Sequence, residues 1–198
     1  MQKVLPTNAI LIPDNANQVF EGQIFSFWQW PQQLFDGSNA KFEMLKRPDT
    51  VQVVVAKDNQ ILLVEDEQPG RTPRVHFPGG RADDEDESWL AAAQRELKED
   101  AGLVCAQWRL IDVTQPLPKI EWFVPIFLAT DIKQEGEQRL DPGGEKINLQ
   151  WTDFMAMRRS VMSGDEPTMT YLLSLLARID SFDNLLAAPE FTGQIVDR

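Results

Sequence analysis

Between Phe77 and Leu103 the chain reads FPGGRADDEDESWLAAAQRELKEDAGL, and this order of parts leaves few structures open. A glycine pair, an acidic turn and a helix-forming run follow one another, and Gly102 ends the run. Helical positions three and four apart are neighbours, so Glu96, Glu99 and Asp100 share an arc of roughly 100°. Leu90, Ala93, Leu97 and Ala101 share the arc beside it. One flank of the helix can bury while the other gathers three carboxylates. Like charges held that close repel one another and cost stability unless a cation sits among them. Oxygen ligands of this kind suit a hard divalent ion, Mg²⁺ or Mn²⁺, rather than zinc. Three carboxylates alone would read more plainly as a solvated face. The order of the whole stretch decides against that.

The stretch resembles the Nudix box, G-x5-E-x7-R-E-U-x-E-E-x-G-U with U an aliphatic residue. The match is Glu87, seven residues, and then Arg95-Glu96-Leu97-Lys98-Glu99-Asp100-Ala101-Gly102-Leu103. Two departures stand out. Six residues rather than five separate Gly80 from Glu87, and Asp100, one methylene shorter, replaces a glutamate. The resemblance implies an α/β fold, an α/β/α sandwich with a mixed sheet, and a pyrophosphohydrolase that uses Mg²⁺ or Mn²⁺. Glu96, Glu99 and Asp100 are then the expected metal ligands, with the Gly79 carbonyl as a further one and Glu99 counted among the catalytic groups. Arg95 is expected to brace Glu87 or the loop through a guanidinium–carboxylate bond.

Composition narrows the chemistry. One histidine, His76, and one cysteine, Cys105, exclude multi-histidine and cysteine zinc sites and an intramolecular disulfide, so carboxylates must do the work. Both residues read as structural. A formal charge of −12 opposes binding to nucleic acid polymers but not to a small anion at a neutralised site. No run approaches the roughly 18 apolar residues of a membrane span. The first residues do not make a signal peptide, so the cytoplasm is the expected compartment.

In chain order, residues 18–30 and 40–45 read as a β-hairpin with Asp36-Gly37 at its tip. Two strands alone are marginal in water and need a partner. Residues 50–57 and 60–66 read as a second hairpin about Asp58-Asn59, 105–113 and 121–130 as strands, 131–145 as a polar loop, and 147–153 as a short strand. Helices are expected from about 153 to Gly164 and over 167–179. Residues 181–198 extend the last helix or form a loose tail. The expected division is a strand region at 1–47, a catalytic domain at 48–180 and a C-terminal extension.

The pattern FEGQIFSF, KFEMLKRPDTVQVVVA, ILLVEDEQPG, FPGGR and the box is also similar to the ADP-ribose pyrophosphatase branch of Nudix hydrolases. That similarity implies hydrolysis of a nucleoside diphosphate sugar to a nucleoside monophosphate and a sugar phosphate. It also implies a homodimer made through the N-terminal strands. Trp28 or Trp30 would stack on a base, and Arg47, Arg71 and Arg81 would meet the anion. A late-loop glutamate would assist the attacking water, Glu145 being the best positional match and Glu135 and Glu137 its rivals. An enzyme for another nucleotide class (a triphosphate, a dinucleoside polyphosphate or coenzyme A) and a non-catalytic nucleotide-sugar sensor remain as alternatives.

Overall fold

A computed structural model describes residues 2–83, 85–140, 146–165 and 167–197. Its centre is a mixed sheet. Strands β5 (Gln52–Lys57) and β6 (Gln60–Glu67) form the expected hairpin, closed by Asp58 and Asn59 at φ 51° and 63°. Two consecutive positive φ values give the turn a twist that matches its strands, and Asp and Asn tolerate them best after glycine. Strand β10 (Val124–Glu135) lies parallel to β5 and antiparallel to β8 (Leu103–Thr114). On the far side β6 pairs with β7 (Arg74–His76) and with β11 (Lys146–Asp153), giving the order β11-β6-β5-β10-β8.

Alternation along β5 divides the core. Val53 and Val55 face one side with Leu62 and Phe127, under Ala93, Leu97 and Ala101 of helix α1 (Trp89–Ala101). Val54 and Ala56 face the other with Ile61, Leu63, Ile126 and Leu128. Phe154 and Met157 of α2 (Phe154–Ser163) and Leu175 and Leu176 of α3 (Leu173–Arg178) cover that second face. Helices thus close both faces of a nearly all-apolar sheet, the sandwich that the strand composition calls for.

Three expectations of the sequence are corrected. Residues 167–179 are not one helix: a 3-10 turn at Pro167–Leu172 precedes α3. Met169, Leu172 and Leu175 recur every three residues and are all buried, a period that suits the tighter turn. Residues 121–130 are not one strand either, because β9 (Ile120–Glu121) ends before β10 begins. The tail is not loose and does not continue α3. After a short α4 (Phe182–Leu186), β12 (Gln194–Asp197) pairs antiparallel with β1 (Gln2–Leu5).

The N-terminal hairpin finds its support within the chain. Strands β2 (Asn17–Glu21), β3 (Ser26–Gln33) and β4 (Asn39–Lys46) form a meander, and β9 adds a fourth strand parallel to β4. Trp30 is 8% exposed and packs with Ile12, Met44 and Phe42 in a small core of this sheet. Val19 and Phe20 on the edge strand β2 remain exposed.

Candidate active site

The box helix begins where sequence chemistry puts it. Ser88 is the N-cap, its Oγ accepting from the Ala91 amide at 3.1 Å, and Gly102 at φ 67° closes the other end. Upstream, residues 78–80 run beside β5, with the Val53 amide donating to the Pro78 carbonyl and that of Val51 to Gly80, both at 2.9 Å. This geometry requires the glycine pair. Gly79 sits at φ +145°, and a Cβ on it would strike the Val51 carbonyl. A Cβ on Gly80 would lie 2.5–2.7 Å from the Glu96 carboxyl atoms, so its bare face is what admits that carboxylate.

Arg95 is the hub. Its Nε and Nη2 donate to the two oxygens of Asp86 at 3.2 and 3.0 Å, and Nη2 donates also to the Arg81 carbonyl at 2.9 Å. Its Nη1 donates to Glu96 at 2.8 Å and to Glu99 at 3.1 Å. Of the two expected partners, Glu87 or the loop, Arg95 holds the loop: the bracing carboxylate is Asp86, and Glu87 is exposed. The sequence carried the signal: five residues separate Gly80 from Asp86, so the extra residue falls after the brace rather than before it. Hydrogen bonding to Arg95 holds Asp86 below the usual carboxylate range, and the same bond holds Arg95 above its ordinary value.

Glu96 is the perturbed acid of the site. Burial pushes its pKa up to about 7, Arg95 opposes that shift, and Glu99 and Asp83 add to it. Glu99 is half exposed beside it. Asp100, 9% exposed, turns away: its Oδ2 accepts from the Gly79 amide at 2.9 Å. Gly79 thus meets Asp100 through its N–H, where the sequence led us to expect its carbonyl at a metal.

The donors can be weighed for a divalent ion. Glu96 and Glu99 converge on one nitrogen of Arg95, and an oxygen-only, partly desolvated pair fits a hard cation. Among the described residues no three ligating side chains converge on one point, and Asp100 gives one of its oxygens to the Gly79 amide.

A cavity of about 820 Å³ opens beside this hub. Arg81, Asp83, Asp86 and Glu87 line it together with Phe25, Trp28 and Arg47. Most of its charges are paired: Lys3 with Asp49 at 2.7 Å, Lys46 with Glu121 at 2.9 Å and Arg81 with Asp83 at 2.5 Å. Arg47 has no carboxylate within ion-pair distance among the described residues. Its guanidinium lies 4.7 Å from the Trp122 ring centroid and 5.7 Å from that of Phe25, and burial lowers its pKa.

The other expected residues divide. Trp28 lines this cavity, whereas Trp30 does not line it and packs in the small core. Arg71 is exposed in the loop after β6 and does not line the cavity. Glu145 lies outside the described residues. Cys105 is buried, its thiol pushed up to about 11 by desolvation, and His76 donates from Nδ1 to the Phe77 carbonyl at 2.6 Å.

The NUDIX domain family matches residues 46–172. The methanol dehydrogenase activator of Bacillus methanolicus is 29% identical over 105 residues, 51% of this chain and 56% of that protein. The 8-oxo-dGDP phosphatase NUDT18 of Danio rerio is 30% identical over 101 residues, 51% of this chain and 30% of that protein. The chain thus spans about half the length of the first relative and under a third of the second. A solved structure of an ADP compounds hydrolase superposes with a TM-score of 0.66 at 20% identity, covering 86% of this chain and 93% of that one. At that identity the likeness speaks for the fold.

Proposed function

The chain belongs to the NUDIX domain family, matched over 46–172, and from that premise we propose that it hydrolyses the diphosphate bond of an ADP-ribose-like nucleoside diphosphate sugar, with Mg²⁺ or Mn²⁺. The products would be a nucleoside monophosphate and a sugar phosphate. The observation that carries this reading is the cavity joining the box loop to a half-buried, aromatic-flanked Arg47. Its volume falls within the few hundred to about 1,000 Å³ typical of small-molecule sites. A half-buried cation with no ion pair among the described residues is a place for an anion, and Phe25 and Trp28 give a base apolar surface.

The chain's own groups have separable tasks. Glu96 and Glu99 would hold the cation, with Asp100 joining them, and Glu99 would also serve in catalysis. A bound divalent ion supplies charge neutralisation on the phosphates and lowers the pKa of a water. Arg95 fixes the two glutamates, and Asp86 and the Arg81 carbonyl fix Arg95. Arg47 and Arg81 would meet the phosphate or base. A second copy of the chain would cover the exposed Val19 and Phe20 edge, making a homodimer.

One observation favours a second reading, a sensor that binds nucleotide sugars without turnover: Asp100 is engaged by Gly79 rather than by the glutamate pair. Incubation with Mg²⁺ and a panel of ADP-ribose, other nucleoside diphosphate sugars, 8-oxo-dGDP and dATP separates the readings. Released phosphomonoesters are assayed. Turnover concentrated on the diphosphate sugars supports the proposal. Preference for 8-oxo-dGDP or dATP assigns another nucleotide class, and saturable binding without product supports the sensor.

A further inference from the structure

Two carboxylates are buried behind the wall of the cavity, and each is neutralised by a lysine that reaches the surface. The Asp49 side chain is 4% exposed and both of its oxygens are engaged: Oδ1 accepts from the Phe123 amide at 2.9 Å, and Oδ2 from Trp89 Nε1 at 3.0 Å and Lys3 Nζ at 2.7 Å. Glu121, its side chain 5% exposed, accepts from the Ile12 amide through Oε2 at 2.7 Å and pairs with Lys46 through Oε1 at 2.9 Å. The lysine side chains are more open, 18% for Lys3 and 39% for Lys46, and both line the cavity. Each pair is neutral in sum but turns its positive end outward, because neutral N–H groups hold the acid from behind. An ammonium has three N–H donors, so a bond to one carboxylate leaves others for a ligand.

The two lysines are seated close together. Glu121 stands beside Lys46 in the β4–β9 pairing, and the amide that holds Asp49 belongs to Phe123, two residues on, a main-chain span of at most about 7 Å. Lys46 also stands opposite Ser26 in the β3–β4 pairing, and alternation puts Trp28 on the same face of β3. Trp28 Nε1 donates to Ser26 Oγ at 2.8 Å, so its ring is held next to that ammonium. The lysine wall thus adjoins the surface assigned to the base. We propose that Lys3 and Lys46 form a subsite for a phosphomonoester on the nucleoside ribose, so that the ligand is a nucleoside diphosphate sugar with a third phosphate on a ribose hydroxyl. This rests on the hydrolase reading above, which provides for the diphosphate at the box helix and leaves the lysine pair for a further anion. The buried carboxylates fix both amines before the ligand arrives, which lowers the cost of ordering them.

Calorimetric titration in the presence of a chelator compares AMP with adenosine 2′,5′-bisphosphate and adenosine 3′,5′-bisphosphate. Each bisphosphate differs from AMP by one phosphomonoester, and the two differ in its position. One of them is expected to bind at least about tenfold tighter than AMP, and the one that does identifies the hydroxyl. The test variants are Lys3→Met/Asp49→Asn and Lys46→Met/Glu121→Gln, which remove each ammonium without leaving a buried carboxylate unpaired. In each the advantage over AMP is expected to fall below about twofold. A wild type in which neither bisphosphate reaches a tenfold advantage would overturn the subsite, and so would an advantage that survives in either variant. The wild-type comparison decides on its own if a variant does not fold. Hydrolysis of ADP-ribose and ADP-ribose 2′-phosphate with Mg²⁺ is followed in parallel. A wild type silent on these and on the rest of the panel would sink the hydrolase reading, and the titrations, which need no turnover, would still decide the subsite.

Discussion

Replacing Glu96 by glutamine should make the metal-free protein more stable at mildly alkaline pH, although it removes a group placed at the centre of the site. The pKa of Glu96 rises from 4.5 to about 7 on folding, chiefly through burial. Between those values the folded chain binds more protons than the unfolded one, so stability falls as pH rises through that window and stays low above it. At roughly 1.36 kcal/mol per unit, the penalty is about 3 kcal/mol above pH 7. The side chain is only 13% exposed, so solvent screening removes little of it. Glutamine cannot ionise, and its oxygen can still accept from Arg95 Nη1. In the presence of a chelator, thermal unfolding of Glu96→Gln should occur about 5–10 °C above wild type near pH 8. The gap should close below about pH 4, where wild-type Glu96 is mostly protonated in both states. A gap independent of pH, or a variant less stable at pH 8, would refute the assignment of Glu96 as the strained acid.

Other expectations follow from the same geometry. Asp86→Asn should cost at least about tenfold in kcat, because it loosens the bidentate clamp on Arg95, whereas Glu87→Gln should change it less than about twofold; equal effects would return the brace to Glu87. Gly80→Ala should keep the fold, read by circular dichroism, yet lower kcat at least about tenfold by driving a methyl into the Glu96 carboxyl. Arg47→Ala should raise KM for ADP-ribose about tenfold or more with kcat nearly unchanged, and an unchanged KM would remove Arg47 from the ligand site. Leu97→Ala, at a fully buried position under the sheet, should destabilise by about 2–5 kcal/mol in chemical denaturation.

What could be read from the sequence depended on how local the governing interaction is. The box helix was legible to its C-terminal cap, because Gly102 acts within one turn of itself. The β5–β6 hairpin was legible because Asp58 and Asn59 alone supply the turn. The Asp86 brace was present as a spacing from Gly80 but was masked by a neighbouring glutamate at a better match to the pattern. Trp30 was ambiguous, because an aromatic residue on an alternating strand reads the same whether its partner is a ligand or, as here, Ile12 and Met44. The fate of the C-terminal tail could not be read at all: β12 pairs with β1 across nearly the whole chain, and no local signal records so distant a contact.

The claim on which the rest depends is that the glutamates of one helix, held by Arg95, carry a diphosphate cleavage. It is tested by following AMP and ribose 5-phosphate released from ADP-ribose with Mg²⁺, in wild type and in the Glu96→Gln/Glu99→Gln protein side by side. The account predicts both products from wild type in equal amounts and a rate lower by at least about a thousandfold in the variant, with its fold intact. Equal rates in the two proteins would contradict it.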